Sequence, residues 1–117
     1  MSLPQDLDLR SEQSIKKDTL SALIHLGILA WDNRSNTIGR RRRGTSNKGT
    51  ADILGVLRGG RLLAVEVKRP GAPPRANEAA QKEWLAKADA LGAVVIERAE
   101  SVGMVLERLR AEGYISG

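Results

Sequence analysis

Apolar residues recur at helical spacing over residues 11–26, SEQSIKKDTLSALIHL, where Ile15, Leu20, Leu23, Ile24 and Leu26 fall near one face. Gly27 follows where a left-handed C-terminal cap belongs, so the stretch predicts an amphipathic helix. Residues 28–34, ILAWDNR, form a short β-compatible run, and the Gly, Ser, Asn and Arg content of SNTIGRRRRGTSNKGT then predicts an exposed loop. ADILGVL at 51–57, the turn Arg58-Gly59-Gly60 and RLLAVEVK at 61–68 make the strongest hairpin signal in the chain. RPGAPPRA is a rigid connector, because three prolines remove backbone donors and fix φ. From Asn77, a plausible N-cap, to about Leu91 the Ala-rich stretch is helical and Gly92 stops it. AVVIE at 93–97 reads as a buried strand, and Glu100 to about Ala111 as a closing helix.

The order α-β-β-β-α-β-α combines a hairpin with a crossover, which implies an α/β fold with a mixed sheet flanked by helices. The chain of 117 residues carries no internal repeat and reads as one domain over 1–117, with its core at about 11–109. Leu, Ile and Val supply about a quarter of the residues, above the roughly 20% at which disorder becomes the default. With no Phe, and only Trp31, Trp84 and Tyr114 as aromatics, modules that stack several bases on aromatic platforms are excluded. Trp31 is expected to cover the sheet and Trp84 to pack its helix against it. With no Cys and the single His25, there is no zinc cage, Cys nucleophile or two-His metal site, so any metal must be held by oxygen. No apolar run reaches a membrane span, and MSLPQDLDLR lacks the features of a signal peptide. The expectation is a cytoplasmic protein, associated with a nucleoid or acting in a viral host cell.

Charge changes the picture more than composition does. The net charge is +5, yet between Arg34 and Lys82 twelve basic residues face only three acidic ones, while the remainder is acidic overall. Positive potential concentrated on the middle of a small domain points to a polyanion. Arg40, Arg41, Arg42, Arg43, Lys48 and Arg69 are the candidates for phosphate contacts.

Candidate chemistry lies in the hairpin. Strand alternation puts Glu66 and Lys68 on one face and Val65 and Val67 on the other. Whether Asp52 joins them depends on the turn. A two-residue loop at Gly59-Gly60 would pair residue i with residue 119 − i and point Asp52 away from Glu66. A three-residue loop would pair i with 118 − i and set Asp52 directly across from Glu66. Two facing carboxylates repel unless a cation lies between them. Oxygen-only ligands favour Mg²⁺ or Mn²⁺, and Mg²⁺ needs only one or two protein carboxylates when phosphate and water fill its other positions. That chemistry suits phosphodiester cleavage, with an ammonium such as Lys68 orienting water or stabilising the transition state.

At these residues the chain resembles the PD-(D/E)xK nucleases, and more closely the VRR-NUC (virus-type replication-repair nuclease) family within them. The matching segments are Glu12 in the first helix, GTADILGV at 49–56, LLAVEVKRP at 62–70 and QKEWL at 81–85, in the family's order. One departure is Ala51, where the family has proline before the aspartate. The resemblance implies a restriction-endonuclease-like core in which Asp52 and Glu66 bind the divalent cation, helped by the Val67 carbonyl. It further implies that Lys68 acts on water or the scissile phosphate, that Glu12 is an additional ligand, and that Gln81 belongs to the site. For Glu12 an i to i+4 pair with Lys16 is an equally good reading. Stand-alone members of the family, largely from phage and viral genomes, are similar to Holliday-junction resolvases in cutting branched DNA as homodimers. A symmetric junction calls for two sites related by a two-fold axis, and one such domain has a single site.

Three functions therefore stand at this level. The first is a structure-specific DNA endonuclease, the second a non-catalytic basic DNA-binding module on the same fold, and the third a protein-interaction domain whose arginines meet an acidic partner.

Overall fold

The Oγ of Ser11 accepts the N–H of Ser14 at 3.0 Å, satisfying one of the free amides that open α1 (Glu12–His25). At the other end Gly27, with φ of 83°, lets the chain reverse. Its N–H donates to the Ile24 carbonyl at 2.9 Å and that of Ile28 to Leu23 at 3.0 Å, so the last turn of the helix is closed. The computed structural model describes residues 11–34, 50–73 and 78–116. The remaining elements are β1 (Leu29–Asp32), β2 (Ile53–Leu57), β3 (Arg61–Val67), α2 (Glu78–Ala90), β4 (Val94–Ala99) and α3 (Val102–Ala111). This is the expected α-β-β-β-α-β-α order. Element ends differ by a residue or two: β1 is shorter than the run 28–34, β4 runs on to Ala99, and α3 starts only after Ser101, whose Oγ accepts the N–H of Met104 at 3.2 Å. The expected cap Asn77 lies outside the described residues.

The four strands lie in the order β1-β2-β3-β4, antiparallel for the first two pairs and parallel for β3 and β4. The sheet is therefore mixed, with α2 forming the crossover between the parallel strands. In the hairpin Ile53 pairs with Val65 and Leu57 with Arg61, which is the register of a three-residue loop. Gly59 and Gly60 both take φ of 87°, a region costly for residues bearing a Cβ, so the two glycines are what permit the odd loop.

Alternation along β2 and β3 sorts the core into two layers. Ile53, Leu57, Leu63, Val65 and Val67 pack against Ile15 and Leu23 of α1 and Val105 and Leu109 of α3. On the opposite face Ala51 and Ala64 meet Leu85 of α2, with Trp84 and Leu54 packed around them. Small residues under α2 let that helix approach the sheet beside the hairpin's acidic end. Trp84 thus holds its helix to the sheet as expected. Trp31 does not cover the sheet: it lies on the edge strand β1 with 42% of its surface exposed, beside the exposed Leu29 and Val56. The reason is the position of α2, which sits over β3 and β4 and leaves this part of the face open.

Gly55 has a packing role that its β-strand position does not announce. It faces Ala30, and a Cβ added there would lie 2.9 Å from the Leu29 carbonyl oxygen and 3.3 Å from the Ala30 Cβ. The first of these contacts is with backbone, so β1 itself would have to move. Gly55→Ala is expected to destabilise the fold by about 1–3 kcal/mol, read as a lower urea midpoint.

Candidate active site

Asp52 immediately precedes β2, and the hairpin register carries it opposite Glu66. Hydrogen bonds run both ways between the two strands here. The Asp52 N–H donates to Glu66 Oε1 at 3.2 Å, and the Val67 N–H donates to Asp52 Oδ2 at 2.9 Å. Each carboxylate is thereby fixed by the backbone of the other strand. Glu66 also sits at an irregularity in the parallel pair: Val65 faces Ile96 but Val67 faces Ala99, so β4 advances one residue more than β3. Such bulges commonly re-aim side chains beside functional sites.

Lys68 follows β3 and its N–H donates to the Ala99 carbonyl at 3.0 Å, which ties its backbone to β4. Its ammonium lies 3.7 Å from Glu66 Oε2 and 3.9 Å from Glu78 Oε2. Asp52, Glu66, Lys68 and Gln81 are 9%, 2%, 2% and 6% exposed, so four polar groups share a largely dry recess between the sheet and α2. Gln81 hydrogen-bonds the Glu66 carboxylate. Burial of charge on this scale is tolerated only where the groups are paired.

Two residues complete the site without a motif to announce them. Arg34, just beyond β1, has Nε 3.7 Å from Asp52 Oδ1 and donates through Nη2 to the Thr50 carbonyl at 2.7 Å. Its neighbour Asn33 donates its N–H to the Asp52 carbonyl at 2.8 Å and its Nδ2 to Thr50 Oγ1 and the Ala51 carbonyl. Arg34 could not be placed from sequence because the long connection between β1 and β2 leaves their register open. Glu78 did carry a signal: it shares a helical face with Gln81 and Leu85, at i, i+3 and i+7.

Glu12 lies close by, at the start of α1. Its Oε2 accepts the N–H of Arg69 at 3.4 Å, so α1 is tied to the segment after β3. Lys16 pairs with Asp32 at 3.3 Å. Among the described residues no group of three or more His, Asp or Glu side chains is arranged to hold a metal ion. Val67 contributes its N–H to Asp52. Arg40, Arg41, Arg42, Arg43 and Lys48 lie outside the described residues, and Arg69 directly adjoins Lys68. His25 is exposed at the end of α1, away from this recess.

Comparison with protein-family models, with curated proteins and with solved structures yields no match. Among the described residues no helix is long and apolar enough to cross a membrane.

Burial, and after it the charge of Asp52, push the Glu66 carboxyl up from 4.5 to about 7, against the opposing pull of Arg34, Gln81 and Lys68. Between these two values the folded chain holds a proton that the unfolded chain has lost. This contribution to stability is complete below 4.5 and is lost as pH rises through about 7. Glu66→Gln removes the titrating group and keeps a neutral side chain of the same shape. Its stability relative to wild type should rise across that window and level off above it, with a gain of up to about 3 kcal/mol in denaturant unfolding at pH 8.

Proposed function

We propose that the chain is a divalent-metal-dependent endonuclease that hydrolyses DNA phosphodiester bonds, a VRR-NUC-like member of the PD-(D/E)xK nucleases acting on branched DNA as a homodimer. One observation carries this reading: Asp52, Glu66 and Lys68 meet with Gln81 in a single recess at one end of the sheet. A purely structural hairpin has no use for two facing carboxylates, where the charge of Asp52 makes Glu66 harder to ionise.

The donor set fits a hard dication. Asp52 and Glu66 offer oxygen alone, and burial leaves Glu66 reluctant to ionise even with Lys68 and Arg34 nearby, which is the electrostatic condition a metal would relieve. Asp52 and Glu66 would hold Mg²⁺ or Mn²⁺. Such an ion, when bound, neutralises charge on the phosphate and makes water more acidic. The chain's own groups do the rest. Lys68, held between Glu66 and Glu78, presents an ammonium to a phosphate oxygen or to the attacking water. Gln81 fixes the Glu66 carboxylate by hydrogen bonding. Arg40, Arg41, Arg42, Arg43, Lys48 and Arg69 supply the positive charge that draws in the DNA backbone.

The competing reading is a non-catalytic DNA-binding module on the same fold. It is favoured by Lys68, whose ammonium already lies beside two carboxylates. One assay separates the two. The chain is incubated with four-way junction, splayed, flapped and plain duplex DNA, in Mn²⁺, in Mg²⁺ and in EDTA. Cutting is expected with metal and not with EDTA, and Asp52→Ala or Lys68→Ala should lower it by at least about a hundredfold, in line with the loss of a transition-state contact. Binding of uncut DNA by these variants should remain, whereas Arg41→Ala combined with Arg42→Ala should weaken it and flatten its dependence on salt. Binding without cutting in either metal favours the module, and cutting that persists in EDTA defeats the metal-dependent reading.

A further inference from the structure

Arg34 is the one strong cation beside Asp52 among the described residues, and it is poorly satisfied there. Its Nη2 is anchored on the Thr50 carbonyl at 2.7 Å, while its Nε–H is buried without a hydrogen-bond acceptor and lies 3.7 Å from Asp52 Oδ1. At that distance the guanidinium provides charge without a formed hydrogen bond. A structural ion pair between arginine and a carboxylate ordinarily closes into a short, often two-pronged contact. Here the arginine is held back by Thr50 while both acids carry backbone hydrogen bonds on their other oxygens. The charge of Arg34 also reaches Glu66.

We infer that Arg34 is a resident counter-cation for the Asp52 and Glu66 pair, occupying the electrostatic role of the divalent ion in the metal-free chain and opposing its entry. This rests on the metal-dependent reading above and names a control on the same site. Arg34 is a positioning residue: it holds the acids in place when no metal is bound, and its positive charge sets a threshold of metal concentration for filling the site. Even at the dielectric of bulk water, a unit charge about 6 Å from a dication is worth a factor of about ten in affinity.

The test is calorimetric titration of Mn²⁺ into the DNA-free chain, for wild type, Arg34→Gln, Arg34→Lys and Asp52→Asn. Arg34→Gln should bind Mn²⁺ about tenfold more tightly than wild type, Arg34→Lys should stay within about threefold, and Asp52→Asn should lose binding. Equal or weaker binding by a folded Arg34→Gln overturns the inference and leaves the nuclease reading intact. No heat of binding in either wild type or Arg34→Gln sinks both. Thermal unfolding supplies a readout that simple loss of packing would not give. Arg34→Gln should lower Tm in EDTA and recover it in saturating Mn²⁺. A variant that folds only with Mn²⁺ supports the inference, and an equal loss of Tm in both conditions, or failure to fold in both, overturns it.

Discussion

Two acidic side chains held face to face in a recess with little water repel each other, and the rest of the site is built around that repulsion. The backbone does the holding. Asp52 accepts the N–H of Val67, Glu66 accepts the N–H of Asp52, and neither carboxylate can turn away without breaking a buried hydrogen bond. Cations then surround the pair: Arg34 on the side of Asp52 and Lys68 on the side of Glu66. Even so the compensation is incomplete, and Glu66 keeps its proton to about 7. An arrangement that stays short of electrostatic balance favours a further positive charge, which here is the proton on Glu66.

That arrangement depends on elements remote from the chemistry. Gly59 and Gly60 at the far end of the hairpin decide which residue faces Glu66, because they allow three residues in the turn where two would shift Asp52 to the other side. The two alanines under α2 matter in the same way. Ala51 and Ala64 let Leu85 settle against the sheet, and this brings Gln81 and Glu78, one and two turns earlier on the helix, over the acids.

Much of this was legible in the sequence, for definite physical reasons. Period-two alternation in the hairpin fixed which β3 residues share a face, and helical spacing with Gly27 and Gly92 marked the helix ends. The parity of the turn remained open, since Arg58-Gly59-Gly60 accommodates either loop, and only the register settles it. Arg34 was hidden because the twenty residues 33–52 separate the partners β1 and β2 in the chain, and no turn chemistry sets their alignment. The bulge opposite Glu66 was hidden for a related reason: parallel strands joined by a helical crossover have no short loop to dictate their register. Trp31 was misplaced because its burial depends on how far α2 extends over the sheet, a tertiary matter that β-compatible residues do not encode.

The hydrogen bond from Lys68 to Ala99 has a bearing on the order of assembly. The hairpin is built from contiguous residues, and it already contains both acids. The lysine's backbone is secured only by the fourth strand, and Gln81 and Glu78 arrive with the crossover helix that precedes that strand. A nascent chain from which β4 has not yet emerged therefore carries a pair of carboxylates but not the assembled constellation. The full cluster of polar groups, on this architecture, belongs to the completed tertiary structure and is absent from every shorter intermediate.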